Sequence, residues 1–283
     1  MKTNGFLIAG IVVLSLVATL TGILSDGGPG PYAYTSIRGQ EVMIYGRGIY
    51  QHMSAEVAPQ GIAQDYVTLF LGIPLLLLSF FKARKGSLQW LYVLSGTLGY
   101  FLVTYLFYTA MGMYNVLFLV YAALLALSFF AFLQSLLSFD VEQLPSRFKP
   151  ETPVKLAGIF LIINTLGIAF LWLSVVVPPL LDGSIYPAGL HHYTTLIVQG
   201  FDLGLLLPLA FVSGLLFIKR KPLGYLAAPV YLVFLSILMT ALVAKIIAIM
   251  MGGEPAGPAI VIIPVFLSFA VIAGVLSLRN IRA

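Results

Sequence analysis

Eight stretches of the chain are long and apolar enough for a helix to cross a membrane, and this feature restricts the fold most strongly. Such a helix needs about 20 apolar residues to span a hydrocarbon layer ~30 Å thick. The whole chain agrees, with 60% hydrophobic and only 9% charged residues. The sequence therefore predicts an all-α, polytopic transmembrane helix bundle. Its eight spans are expected near residues 5–25, 62–81, 87–110, 114–137, 154–177, 194–218, 223–250 and 258–278.

The first apolar stretch also has the general form of a secretory signal, since Lys2 precedes an apolar run from Phe6 to Leu24. The run is longer than a usual signal core, and no small-x-small cleavage pattern follows it cleanly. We therefore expect this segment to be a retained membrane helix.

Positive charge is distributed unevenly among the predicted loops. All Lys and Arg residues except Arg38, Arg47 and Lys245 fall at segment ends that would face one side of a membrane. Lys and Arg are retained on the cytoplasmic side during insertion. We therefore predict a multi-pass cell-membrane protein with both termini in the cytoplasm. The formal charge of +5 needs no nucleic-acid partner.

Two parts of the chain share a pattern that indicates an internal repeat. Residues 64–86 and 199–224 each contain a Gln, an acid, a mid-helix proline, a serine five residues later and a basic cluster. A parallel four-plus-four repeat occurs in some transporters. Two alignments remain open, one pairing Pro74 with Pro208 and the other pairing Asp65 with Asp202.

The repeat predicts three parts of the chain. They are a first half at 1–137, which includes an outer loop at 26–60, a cytoplasmic linker at 138–153 and a second half at 154–283.

Two carboxylates are predicted inside membrane segments, close to the outer interface. Asp65 and Asp202 each precede the first cytoplasmic lysine by about 25 Å of helix. An ionised group at this depth is costly unless it faces water or a partner, so both are candidate binding residues. Alternatively, both acids tie helix ends together through hydrogen bonds.

Polar side chains recur at helical spacing near these acids. Three stripes are predicted: His192, Thr195, Gln199 and Asp202; Gln60, Gln64 and Thr68; and Thr97, Tyr100, Thr104 and Tyr108. They either line a polar cavity open to the outer face or join helices by hydrogen bonds. The candidate ligand-binding residues are Gln64, Asp65, Gln199, Asp202, His192, Thr195, Tyr100 and Lys245.

Lys245 lies about 36 Å of helix after Lys221. It is therefore expected to reach the outer interface by snorkelling, or to pair with Asp65, Asp202 or Glu254.

A metal site is a weaker hypothesis. His52, His192 and Asp202 are the candidate ligands, but no H-x-x-x-H or H-E-x-x-H spacing is present. The chain has no cysteine. No motif identifies a cofactor, so none is named.

The first outer loop has the pattern of a small β-hairpin, because strand-forming runs at 34–37 and 41–45 flank the turn Arg38-Gly39-Gln40. The run from Arg38 to Tyr50, together with 64–74 and 199–224, resembles a family of uncharacterised prokaryotic multipass membrane proteins. The resemblance implies that hairpin and helices form one unit, and it brings no known activity.

Three classes of function remain open. The favoured class is binding or transport of a small molecule or lipid through an outward-facing polar cavity, with the lipid bilayer as the surrounding partner. The alternatives are a sensor or membrane-complex subunit with an outer recognition cap, and an intramembrane enzyme acting on lipid. The enzyme is disfavoured because no catalytic motif is present. Homo-oligomerisation remains open.

Overall fold

The computed structural model describes residues 4–253 and 257–282. Eight of its helices are long and apolar enough to cross a membrane, so the predicted all-α bundle with eight long apolar helices is confirmed. These helices are α1 Gly5–Leu24, α2 Ala58–Arg84, α3 Leu88–Ala110, α4 Phe118–Leu136, α6 Val154–Leu181, α7 Ile197–Ile218, α8 Pro222–Met251 and α9 Ala259–Arg279. A short helix, α5 Leu144–Arg147, and the strands β1 Tyr32–Thr35 and β2 Glu41–Ile44 complete the fold.

Local sequence explains where several helices begin. The Asn4 side chain accepts a hydrogen bond from the backbone N–H of Phe6 at the start of α1, and Ser87 caps α3 in the same way. Helix α2 begins earlier than predicted. Pro59 lies in its first turn, where the missing N–H has no helical partner to lose.

The long helices form two rings of four. In the first ring α1 contacts α2 and α4, and α3 packs between α2 and α4; in the second, α6, α7, α8 and α9 repeat this pattern. Helix α8 joins the rings by packing against α3 and against the first part of α2. Helix α3 is therefore the most buried span, whereas α6 and α9 expose most of their apolar surface.

Small residues allow the closest helix crossings. A Cβ atom on Gly158 would lie 2.6 Å from the carbonyl oxygen of Gly214, and a Cβ on Gly214 would lie 2.7 Å from that of Gly158. Gly96 approaches α8 just as closely, since a Cβ atom added to it would lie 2.8 Å from the Val230 carbonyl oxygen. Such contacts are typical of membrane helices, which associate by close packing because lipid removes the hydrophobic driving force.

Helices α2 and α7 both contain one π-helical turn. The turns cover Thr68–Gly72 and Asp202–Leu206, where the N–H of Ile73 bonds to the Thr68 carbonyl and that of Leu207 to the Asp202 carbonyl. A proline, Pro74 or Pro208, follows each turn and lacks the N–H that would continue the ladder. Such π-helical turns occur frequently at functional sites.

The two ends of the bundle differ in charge. We call one the hairpin end, where β1 and β2 pair in antiparallel register, Tyr34 opposite Val42. The small hairpin is thus confirmed. The other, the basic end, holds the α2–α3 turn, residues 137–153, residues 219–221 and the chain's last described residues. Lys2 lies outside the described residues.

One predicted element is wrong. His192 and Thr195 do not lie on a helix with Gln199 and Asp202, because α7 begins only at Ile197. The backbone carbonyls of 191, 193 and 194 instead accept hydrogen bonds from Arg38, so they are not available to a helical ladder.

Candidate functional site

Asp65 is the centre of a buried polar cluster near the hairpin end. Its side chain is 1% exposed, and its Oδ2 accepts a hydrogen bond of 2.5 Å from Tyr50. Tyr108 donates to Oδ1 at 2.9 Å, and its oxygen lies 3.2 Å from that of Tyr50. Both carboxyl oxygens therefore have phenol donors, which meets the usual requirement for a buried acid.

Tyr50 brings the first loop into direct contact with the helices of the bundle. It ends a short turn of 3₁₀-helix in that loop and is almost fully buried. Burial and the charge of Asp65 raise the pKa of Tyr50 well above its usual value, so the phenol remains a proton donor.

A second set of hydrogen bonds continues from this cluster toward the middle of the bundle. Nε2 of Gln64 donates to the Tyr100 hydroxyl at 2.7 Å and lies 3.3 Å from Oγ1 of Thr104. Thr68 and Tyr100 share a hydrogen bond of 2.8 Å. Gln64 and Thr68 on α2 thus face Tyr100 and Thr104 on α3, and all four side chains are buried.

Two members of the predicted polar stripes on α2 and α3 do not join the set. The Thr97 hydroxyl donates to the carbonyl of Val93 in its own helix, and Gln60 donates to the backbone of Glu56.

Helix α1 packs directly against the Asp65 side chain. A Cβ atom on Gly22 would overlap Oδ2 of Asp65 and lie 2.8 Å from its Cγ and 3.2 Å from the Tyr50 oxygen. Only glycine leaves room here for both the helix and the carboxyl group.

Asp202 has a different environment from Asp65. It is half-buried, and its Oδ2 accepts a hydrogen bond of 2.7 Å from Nε1 of Trp172 on α6. Gln199, one turn earlier on α7, is half-buried, and its side chain makes no hydrogen bond with any described residue. Asp202 therefore keeps one carboxyl oxygen available for a further partner.

Lys245 connects the two acids electrostatically. It lies near the end of α8, is half-buried, and interacts with the charge of Asp202 and, more weakly, with that of Asp65. It makes no hydrogen bond or close ion pair with any described residue. Glu254, another predicted partner, lies outside the described residues. The ammonium group of Lys245 thus lacks a close partner among the described residues but lies within the electrostatic reach of two carboxyl groups.

The hairpin docks onto the loop before α7. The Arg38 guanidinium donates to the carbonyls of Tyr193 at 2.8 Å, His191 at 3.3 Å and Thr194 at 3.3 Å, and stacks over the Tyr186 ring. Gln40 adds a bond to the Ala188 carbonyl at 3.0 Å. We call residues 26–57 and 182–196 together the cap.

The histidines all lie in the cap. Nε2 of His192 is 2.9 Å from the His52 carbonyl, and its Nδ1 is buried without a partner. Burial lowers the pKa of His192, although the bond to His52 opposes this. His191 pairs with Glu56 at 3.4 Å. Across the described chain, no three His, Asp or Glu side chains form a group that could hold a metal ion.

A cavity of about 600 Å³ opens between the cap and the bundle. It lies beside the ends of α1 and α3, and its polar lining includes Thr21, Ser25, Gln51 and His52. A second cavity, of about 530 Å³, lies at the basic end. Asp65, Asp202 and Lys245 line neither of them.

The sequence singled out Asp65, Asp202 and Lys245 but missed Tyr50 and Trp172, which donate hydrogen bonds to the two acids, and Arg38, which joins the two loops of the cap. Arg38 lies far along the chain from its partners, Tyr50 lies in a loop outside the long helices, and Trp172 lies in an otherwise apolar run. One signal for Trp172 exists: it is one of only two tryptophans, and an indole N–H inside a membrane needs an acceptor.

Comparison with known proteins identifies no relative: no protein-family model, no curated protein and no solved structure matches the chain. The resemblance to an uncharacterised prokaryotic family therefore gains no support from them. Function has to be inferred from the chain's own geometry.

Proposed function

We propose that this membrane protein binds or transports a small charged solute at a site formed by Asp202, Lys245 and Gln199, with the Asp65 cluster as its buried wall. The observation that carries the proposal is the unpaired ammonium group of Lys245 within the electrostatic reach of two carboxyl groups. Ionisable groups inside a membrane are expensive and commonly mark ion or substrate pathways.

The arrangement suits a solute that bears a charge. Asp202 keeps one carboxyl oxygen available, and Gln199 offers an amide donor and acceptor beside it. A solute between Asp202 and Lys245 would meet both signs of charge at low dielectric, where each contact is stronger than in water. A zwitterion fits this chemistry, because its positive group can face Asp202 and its negative group can face Lys245.

The two rings are inferred to be a repeat, with the register set by the prolines. Three boundaries in the second half follow their counterparts by the same number of residues: Asp202 after Thr68, Leu207 after Ile73, and Pro222 after Leu88. In this register Gln199, not Asp202, is the counterpart of Asp65. Interrupted helices at matching places are a feature of transporters built from repeats.

The cap is inferred to face the outside of the cell, and the basic end the cytoplasm. Lys and Arg favour the cytoplasmic side, and the basic end holds most of them. Tyr50 would then link the outer cap to Asp65, so that cap movement changes access to the site.

The test is a thermal-unfolding screen of purified protein against sodium, potassium, zwitterionic amino acids and small organic cations, followed by flux assays in proteoliposomes. We expect the zwitterionic amino acids to stabilise the wild type and the inorganic and organic cations to have little effect. Asp202→Asn and Lys245→Gln should each abolish that shift.

Matched controls are Asp182→Asn and Lys219→Gln, which remove the same charges from exposed positions outside the site. Equal ligand responses in site and control variants would refute the proposal. A shift without flux would identify a binding protein instead of a transporter.

A second candidate is a sensor or subunit of a membrane complex. The cap favours it, because two distant loops combine there into one ordered surface through Arg38 and Gln40. The lipid-acting enzyme has no such supporting observation among the described residues.

A further inference from the structure

A basic cavity at the opposite end of the bundle is separate from the proposed solute site. Its volume of about 530 Å³ falls within the range of small-molecule pockets. Three parts of the chain line it: the turn between α2 and α3, the segment from Ser138 to Arg147, and the end of the chain at Ile281 and Arg282.

The charge of this cavity is unbalanced. Lys85, Arg147 and Arg282 line it, against one acid, Asp140. None of these basic side chains forms an ion pair or hydrogen bond with another described residue. Three cations held close together repel one another, and an anion bound between them would relieve that repulsion.

Backbone contacts hold the lining segments in place. The N–H of Arg282 bonds to the Arg147 carbonyl at 2.8 Å, and Phe148 pairs with Ile281 in an isolated antiparallel bridge. Nε2 of Gln89 donates to the Leu278 carbonyl at 3.2 Å. The cavity is therefore largely formed before any ligand arrives, which lowers the cost of binding.

The lining also has an apolar side. Phe139, Leu144 and Ile281 are buried there, while Gln143 and Ser87 add polar groups beside the cations. The cavity lies where the apolar helices end, at the level of lipid headgroups in a bilayer. A ligand with an anionic head and an apolar body matches both sides.

We propose that this cavity binds a phosphate-bearing anion, namely the headgroup of an anionic phospholipid in the same leaflet. Arginine suits phosphate because its planar guanidinium can donate two parallel hydrogen bonds, and two of the three cations are arginines. Basic pockets between membrane helices are known to bind anionic headgroups. This site is independent of the charged-solute site near Asp202.

The test uses full-length protein in neutral detergent, titrated with phosphatidylglycerol, phosphatidylcholine or inorganic phosphate, with bound lipid counted by native mass spectrometry. The cavity variant is Lys85→Gln/Arg147→Gln/Arg282→Gln. The control variant, Lys155→Gln/Lys219→Gln/Lys221→Gln, loses the same charge at the same end from exposed residues outside the cavity.

We expect phosphatidylglycerol to bind the wild type with a defined stoichiometry and phosphatidylcholine not to compete. Affinity should fall about 10-fold or more in the cavity variant and far less in the control, since each basic residue near an anionic headgroup contributes severalfold. Binding of inorganic phosphate without binding of phosphatidylglycerol would keep the phosphate site but overturn its lipid source.

Equal losses in the two variants would overturn the proposal in favour of general surface charge, and so would undiminished binding in the cavity variant. If the triple variant does not fold, Arg147→Gln alone decides, because the backbone contact of Arg147 does not depend on its side chain.

Discussion

Gly22→Ala is the sharpest test of how α1 packs against the Asp65 cluster. The added methyl group would overlap Oδ2 of Asp65 and lie 3.2 Å from the Tyr50 oxygen. Either α1 must move away from α2, or the carboxyl group must turn and lose the phenol that donates to it. Both adjustments cost free energy, because the Asp65 side chain that obstructs the methyl group is itself held by two hydrogen bonds.

The expected cost combines three effects. Overpacking in a dense interior costs about 1–3 kcal/mol. Loss of one hydrogen bond to a carboxylate adds about 1.5–3 kcal/mol to this cost. The better helix propensity of alanine offsets about 0.5–1 kcal/mol of it. We therefore expect Gly22→Ala to lower the free energy of unfolding by about 2–5 kcal/mol.

The assay is unfolding in mixed detergent and SDS micelles, followed by circular dichroism. Gly167→Ala is the control, because it lies inside α6 with no atom within 4 Å of its added methyl group. We expect a change of less than about 1 kcal/mol for this control. If Gly22→Ala is as stable as Gly167→Ala, the close approach of α1 to Asp65 is wrong.

Three further predictions concern the cap. Tyr50→Phe should lower the free energy of unfolding by about 1–3 kcal/mol in the same assay, because Asp65 loses a buried donor; an unchanged value would contradict this. Arg38→Ala should speed proteolysis of the cap severalfold, whereas Arg47→Ala, which changes an exposed residue without hydrogen bonds to the described chain, should not. Stability of the cap to proteolysis should fall as the pH drops below about 6.5, because burial lowers the pKa of His192 and the unfolded loop then binds more protons than the folded one. His192→Asn should remove that pH dependence, and an unaltered pH profile would contradict its assignment to His192.

The spans and the hairpin could be predicted because their signals are local. A long apolar run identifies each of the eight long helices. Strand-forming residues on both sides of Gly39 identify the hairpin. The stripes on α2 and α3 could be predicted for the same reason, since helical spacing places Gln64 and Thr68 on one face. That they would meet Tyr100 depends on how the two helices pack.

Contacts between distant parts of the chain could not be predicted. Helical spacing placed His192 and Thr195 on α7, but Arg38 binds the backbone carbonyls around them from the other loop. Sequence spacing also could not choose between the two alignments of the proposed repeat. The π-helical turns favour the proline register, and such turns leave little trace in the sequence.

The central claim is that water and a charged solute reach Asp202 from the cap side. The chain has no cysteine, so Asp202→Cys carries a single thiol, and Gly204→Cys places a matched thiol on an exposed part of the same helix. The measurement is the rate of labelling by a membrane-impermeant maleimide, added to either side of sealed vesicles. We predict labelling of the Asp202→Cys variant from the cap side only, and little labelling of the Gly204→Cys variant, whose thiol would face lipid. Failure of the Asp202→Cys variant to react from that side, or equal reaction of both variants, would contradict the account.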